Sequence, residues 1–235
     1  MDSAHRLGGW PKPVTEVVVT AGGRAHRDDP VRGETGGPAG NAKLTAWTGL
    51  ALLGLLAVEG ATLVSIGQLL GVHIFVGVLV LPPVLLKSAT TGWRFVRYYT
   101  GDRDYVRAGP PPLVLRVLGP LVIVTSLAVL GTGLALIAMG ADSFRSLAAP
   151  AGVQVTMATL HKASFITWFV VMTLHVLART VPALRILSVG RSASVRVPGG
   201  RWRLVALAVA LAAGLIVGAL VLDASSWWTT SWHHE

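Results

Sequence analysis

Five apolar stretches separated by shorter polar segments dominate the chain, and they cover about residues 44–66, 70–92, 113–139, 154–179 and 203–222. Each has roughly the 20 residues that a helix needs to cross a bilayer, and none alternates as a transmembrane β-strand does. Lipid cannot satisfy exposed backbone groups, so the spans must be helices. The pattern therefore predicts an all-α integral membrane bundle of five transmembrane helices over residues 43–223.

The segments that flank the five stretches are predicted to be tails. Residues 1–42 are polar and glycine-rich and lack the apolar run of a signal peptide, so they are expected to form a disordered cytoplasmic tail. Residues 224–235 are expected to form a short outer tail whose tryptophans lie at headgroup level, namely Trp227, Trp228 and Trp232. Pro82 and Pro83 lie inside the second stretch and predict a kink there.

The basic residues predict the orientation of the bundle. They concentrate in two alternate connections, in the loops after the second and the fourth stretch: Arg94, Arg97, Arg103, Arg107 and Arg179, Arg185, Arg191, Arg196, Arg201, Arg203. Because cytoplasmic loops carry the excess of Lys and Arg, the N-terminus is predicted to be cytoplasmic and the C-terminus outside. A multi-pass protein of a bacterial-type cytoplasmic membrane is expected.

Composition narrows the function classes. Hydrophobic residues make up 52% of the chain and charged residues 13%, about half the charged share of a typical soluble protein. The absence of cysteine excludes disulfides, thiolate-bound iron–sulfur clusters and thiol nucleophiles. The net charge of +9 lies at the ends of the apolar stretches and not in one patch, which argues against a nucleic-acid partner.

Three histidines lie within the apolar stretches, and ionisable residues inside a span indicate function by default. His73 and His161 are predicted at comparable depth near the outer surface, on different helices. Two histidines facing each other across a bundle can hold a haem iron. The alternative is structural, with both side chains as polar residues at the membrane interface.

A second level of residues lies deeper. His175 follows His161 by fourteen residues, which places it on nearly the same helix face and roughly 21 Å further along. Lys87 follows His73 by the same interval, so Lys87 and His175 form a possible but unusual second ligand pair. The other interpretations are that Lys87 extends to the inner headgroups and that His175 is a polar residue at a helix end.

Other residues are candidates for contacts to a cofactor. Gly77 and Gly131 leave room for a flat ring, and Lys162, with Arg145, is placed to pair with haem propionates. Aromatic residues near the histidines can pack on a ring edge or in the protein core: Phe75, Phe165 and Trp168. Glu59 is open to two interpretations, as a buried proton-carrying or quinone-contacting residue or as a wetted interface residue.

Two segments carry a family resemblance. "LLGVHIFVGVLVLPPVLLKSATTGWRFVRYYTGD" and "LHKASFITWFVVMTLHVL" resemble the membrane cytochrome b group in the broad b561-like sense, and more narrowly the small bacterial membrane proteins related to cytochrome b subunits. The resemblance implies b-type haem bound by histidines on facing helices, matched here by His73, His161 and His175. It also implies electron transfer between a quinone pool and a redox partner. A fourth histidine is missing, so one haem is the safer inference.

No phosphate-binding glycine loop, flavin motif or dinucleotide fingerprint is present in the sequence. An electron-transfer subunit is therefore expected in preference to a stand-alone enzyme. The alternative functions are a non-redox membrane scaffold or anchor subunit and, with less support, a small transporter.

Overall fold

The computed structural model describes residues 11–22, 29–109, 113–188, 197–225 and 228. These residues form seven α-helices, joined in places by short 3-10 turns. The helices are α1 (Lys12–Ala21), α2 (Gly37–Thr62), α3 (Ile66–Tyr99), α4 (Arg103–Arg107), α5 (Leu113–Met139), α6 (Met157–Ser188) and α7 (Gly200–Ala224).

Four stretches of the described chain are long and apolar enough to cross a membrane: Gly37–Tyr99, Leu113–Phe144, Met157–Ser188 and Gly200–Ala224. The protein is thus a multi-pass helical membrane protein, as the hydrophobic pattern predicted. The first stretch contains 63 residues and includes both α2 and α3. Many large apolar side chains on these helices are exposed, as for Leu177 and Leu220, and such faces suit contact with lipid.

Helices α2 and α3 pack against each other as an antiparallel hairpin. The chain turns at Leu63–Ser65, and the backbone leaves helical geometry at Ser65 and again at Leu69. From there α3 keeps helical dihedral angles, also through Pro82 and Pro83, where a kink was expected. Near the turn α2 faces the start of α3, and at the far end the Asn41 amide donates to the Thr90 carbonyl at 3.0 Å.

The hydrophobic core lies between this hairpin and its neighbours. Leu52, Val76 and Val80 form its buried centre. The most extensive helix contacts join α3 with α7, α5 with α6, and α2 with α3. On α7, Gly214 and Gly218 are buried one turn apart, and both lie against the backbone of α3. Small residues at this spacing allow helix backbones to approach closely.

Three polar segments meet at one end of the bundle, which we call the arginine-rich end: residues 29–36, 94–109 and 197–203. Arg94 pairs with Asp29 at 2.8 Å, and Arg32 pairs with Asp104 at 3.0 Å. The Arg203 guanidinium donates to the Thr35 carbonyl at 3.1 Å. These contacts place the start of α2 and the end of α3 at the same end of the molecule.

Part of the segment that was expected to be a disordered tail is helical. Helix α1 packs against α5 and α6, and α2 begins at Gly37. The valine-rich sequence of α1 has modest helix propensity, so packing against its neighbours decides its conformation. Residues 1–10 and 23–28 of this tail lie outside the described residues, as do Trp227 and Trp232 of the outer tail. Trp228 packs against Phe144 with ring centroids 5.8 Å apart.

Candidate functional site

The structure brings His73 and His161 together at the end of the bundle opposite the arginine-rich end. His73 lies in the second turn of α3, and His161 lies in the second turn of α6. Their ring centroids are 6.5 Å apart, and the ring planes make an angle of 76°. The two histidines are thus far apart in the sequence but close in space, and each comes from a different helical hairpin.

The His73 ring is held by two residues of α2. Its Nδ1 lies 2.9 Å from Glu59 Oε1 and 3.0 Å from Thr62 Oγ1. The Thr62 hydroxyl has one hydrogen, and it donates that hydrogen to the Glu59 backbone carbonyl at 2.6 Å. Thr62 can therefore only accept from the ring. It follows that His73 carries a hydrogen on Nδ1.

The His161 ring is held in the same way by α5. Its Nδ1 lies 3.1 Å from Thr132 Oγ1, and the Thr132 hydroxyl donates to the Ala128 carbonyl at 2.7 Å. The Val129 carbonyl also lies beside the ring. Since the hydroxyl hydrogen is engaged within its own helix, Thr132 accepts from His161, and this ring also carries a hydrogen on Nδ1.

The contacts thus place a hydrogen on Nδ1 of each ring, and the neutral form of such a ring has its lone pair on Nε2. In the described part of the chain, the side-chain hydrogen bonds of the pair use Nδ1 of each ring and none uses Nε2. Histidines that bind metals hold their second ring nitrogen in this manner, through an N–H donated to a neighbouring acceptor.

The separation of the rings also suits a shared metal. Imidazole nitrogens bind metal ions at about 2.0 Å, so two rings on opposite sides of one ion have centroids roughly 6 Å apart. Ordinary aromatic pairs have a similar separation of about 4.5–7 Å. The distance alone does not separate the two cases, and the hydrogen bonding to Nδ1 is the more specific feature.

The glycines near the pair have three different environments. A Cβ at Gly77 would lie 3.3 Å from Glu59 Oε1, so this glycine gives the carboxylate room. A Cβ at Gly133 would lie 3.3 Å from His161 Cε1, so the ring rests on the α5 backbone. A Cβ at Gly131 would meet nothing within 4 Å. Gly131 is therefore an exposed position on α5.

Glu59, Thr62 and Thr132 are the site residues whose role the sequence did not reveal. Glu59 is bonded to His73 with 18% of its side chain exposed, and its second oxygen, Oε2, is buried. It is thus a buried partner of histidine and not a wetted interface residue. One signal was present, because Glu59 precedes and His73 follows Ile66 by seven residues each, which places them level in a hairpin that turns near Ile66.

The aromatic candidates pack among protein side chains. Phe75 lies against Gly218 of α7, and the Trp168 indole donates to Ser126 Oγ at 3.0 Å. Phe165 contacts Trp168 and Phe169, with ring centroids 6.1 and 5.8 Å apart. These contacts correspond to the core-packing alternative.

At the deeper level, Lys87 does not extend to the headgroups, and that expectation was wrong. Its Nζ donates to the Thr45 carbonyl of α2 at 3.0 Å. The reason is Gly49, where a Cβ would lie 2.7 Å from Nζ and block this position. His175 is half-buried and lies within electrostatic range of Lys87 and Arg179. The residues of the second candidate pair therefore lie in a cationic environment, and the Lys87 amine is already hydrogen-bonded to a backbone carbonyl.

The two residues that were expected to pair with propionates are exposed. Lys162 lies one residue after His161 on the surface of α6. Arg145 pairs with Asp142 at 3.1 Å, with 81% of its side chain exposed.

Within the described ranges, no three or more His, Cys, Asp and Glu side chains are grouped to hold a metal ion. The site therefore lacks the ligands that a bare ion requires. Two imidazoles fit better with a metal macrocycle, which brings its own equatorial nitrogens and needs only axial ligands.

Fold and site together define a multi-pass helical membrane protein with a paired histidine site. Comparison with protein-family models, curated proteins and solved structures found no match to the chain. The resemblance to membrane cytochromes b therefore stays a prediction.

Proposed function

We propose that this protein binds one b-type haem between His73 and His161 and transfers single electrons between a quinone pool and a redox partner protein. The observation that carries the proposal is the hydrogen bonding of Nδ1 in the two rings. Each ring donates Nδ1–H to a fixed acceptor, which leaves the Nε2 lone pair of each for an iron.

The surroundings support a haem. The site lies between apolar helices, and burial with two imidazole ligands is a means by which proteins set a haem potential. Gly133 lets the His161 ring rest against the α5 backbone. Lys162 is exposed next to His161 and free to approach a propionate, a charge-assisted contact. Full oxidation of a quinol yields two electrons and two protons. A single haem would hold one electron at a time, so the partner protein would take the first electron before the second is transferred, and both protons would be released to water.

The proposal includes five spans with a cytoplasmic N-terminus. Support comes from the arginine-rich end, where Asp29 contacts Arg94 and Arg32 contacts Asp104. These pairs join the start of α2 to the segment after α3, as two crossings require. Arginine-rich segments favour the cytoplasmic side, and the proposed location is the cytoplasmic membrane of a bacterium.

A single haem per chain is proposed because Lys87 is bonded to Thr45. A lysine that ligates iron must direct its nitrogen at the metal, and this one is directed at the Thr45 carbonyl of α2. His175 alone then lacks an opposing ligand.

The test is a visible spectrum of the purified protein, expressed with ample haem. We expect a b-type reduced-minus-oxidised signal and a pyridine haemochrome count near one haem per chain. The signal should be lost in His73→Ala and in His161→Ala, and it should persist in the matched control His175→Ala.

Two results would contradict the proposal. A colourless wild-type protein would favour the non-redox scaffold. Two haems per chain, one of them lost in His175→Ala, would restore the Lys87–His175 pair.

A further inference from the structure

We infer that Glu59 is a positioning residue that sets the redox potential of the site by acting on His73. This inference rests on the proposed function, since it concerns the same haem. It assigns to a membrane carboxylate a role that neither its hydrophobic surroundings nor its position in α2 would indicate.

The geometry places the carboxylate directly on the ligand. Glu59 Oε1 lies 2.9 Å from Nδ1 of His73. Ligation of iron through Nε2 requires the hydrogen to be on Nδ1, so Glu59 must accept this hydrogen bond. The ring thus donates to a carboxyl oxygen.

The contact is enclosed, which strengthens it. Glu59 Oε2 is buried, and within the described residues it has no hydrogen-bond partner. The described contact of this carboxylate is with Nδ1 of His73. Few other polar groups lie near this carboxylate, so its electrostatic effect acts mainly on the His73 imidazole. Gly77 leaves room for the carboxylate, since a Cβ there would lie 3.3 Å from Oε1.

The two ligands are therefore not equivalent. His161 donates to the neutral hydroxyl of Thr132, whereas His73 donates to a carboxylate and shares the neutral hydroxyl of Thr62. A carboxylate behind a metal-bound imidazole raises the basicity of the ligand. A more basic ligand stabilises ferric iron over ferrous iron, and so the potential is lowered.

The test is a redox titration of the haem-loaded Glu59→Gln variant. Glutamine keeps the size and an acceptor oxygen but removes the charge. We expect the haem to stay bound and its midpoint potential to rise. At the wild-type midpoint the ratio of reduced to oxidised haem should increase at least tenfold, which is 59 mV for a one-electron couple.

Two variants give the measurement its controls. Asp142→Asn removes a carboxylate from the exposed segment that follows α5, and it should leave the potential unchanged. Thr62→Val removes the neutral acceptor, so the His73 hydrogen bond falls on Glu59 alone, and the potential should fall. Unspecific damage to the site would not move Glu59→Gln and Thr62→Val in opposite directions.

Failure of this inference can be told apart from failure of the proposed function. If Glu59→Gln holds haem at the wild-type potential, Glu59 is only structural and the inference is overturned. If Glu59→Gln loses haem, Thr62→Val decides: a lower potential supports the inference, and an unchanged or higher one overturns it. Absence of haem from the wild-type protein would instead overturn the proposed function.

Discussion

Threonine hydroxyls in the membrane helices act here as directed acceptors. The hydrogens of Thr62 and Thr132 go to backbone carbonyls of their own helices, which leaves the oxygen lone pairs facing a histidine. An aspartate or asparagine at these positions would bring further polar atoms that the surroundings do not satisfy. Threonine thus supplies a single acceptor at small cost inside an apolar helix.

Loss of the Thr132 hydroxyl should weaken haem binding. Thr132→Val leaves the Nδ1–H of His161 without its side-chain acceptor and no longer holds the ring in place. Removal of such an outer partner reduces metal affinity roughly 10–100-fold in other proteins, and we expect a decrease of this size. Haem titration of the apoprotein in detergent measures it.

The matched control is Thr167→Val, on the same helix as His161. The Thr167 hydroxyl is exposed and donates to the Ala163 carbonyl of its own helix, so haem affinity should be unchanged. Equal affinities for Thr132→Val and Thr167→Val would contradict the role given to Thr132.

At the scale of the helices, the packing of α3 on α7 depends on two positions without side chains. A Cβ at Gly218 would lie 3.1 Å from the Phe75 carbonyl oxygen, and a Cβ at Gly214 would overlap the Leu79 carbonyl. The obstacle in both cases is backbone, which cannot rotate away. This contact holds α3, and with it His73, in place.

Gly214→Ala should therefore destabilise the bundle although alanine favours helices. Overpacking of this kind costs about 1–3 kcal/mol, and we expect a lower midpoint of thermal unfolding in detergent. Gly54→Ala is the control, because a Cβ at Gly54 of α2 meets nothing within 4 Å. There the helix propensity of alanine, worth up to about 1 kcal/mol, should leave the midpoint equal or higher. A stable Gly214→Ala protein would show that α7 can shift.

Sequence and structure agree best where hydrophobicity alone sets the helix. The stretch predicted at 113–139 is α5 itself, and 203–222 lies within α7. They differ where ion pairs extend a helix. Helix α3 continues to Tyr99 because Arg94 pairs with Asp29 and Arg97 pairs with Asp102. Such contacts across the chain leave no hydrophobic signal.

At the candidate site, too, some features follow from the hydrophobic pattern and others depend on contacts between helices. The positions of His73 and His161 near the outer ends of their stretches suggested equal depth, and the structure brings the two histidines together. The direction of the Lys87 side chain and the partner of Glu59 depend on which helix faces align, and hydrophobicity along one chain does not determine this.

For the whole molecule, the decisive question is whether Gly37–Tyr99 crosses the membrane once or twice. The protein has no cysteine, so single cysteines can be introduced for labelling. Thr35→Cys and Thr100→Cys, at exposed positions before α2 and after α3, should react from the same side in intact membrane vesicles, because the ion pairs of the arginine-rich end join these segments.

Ser146→Cys, exposed between α5 and α6, should react from the opposite side. Labelling of Thr35→Cys and Thr100→Cys from opposite sides would mean a single crossing and would contradict the five-span arrangement.

The pairing of hairpins has a consequence for how such a protein is maintained in a cell. His73 belongs to the hairpin of α2 and α3, and His161 to that of α5 and α6, so neither hairpin contains both histidines. On the proposed function, a bound haem stabilises the assembled bundle alone, by about 2.7 kcal/mol at a free concentration one hundred times the Kd. Chains made during haem shortage would then be the ones open to proteolysis, and the amount of protein in the membrane would follow haem supply without any change in gene expression.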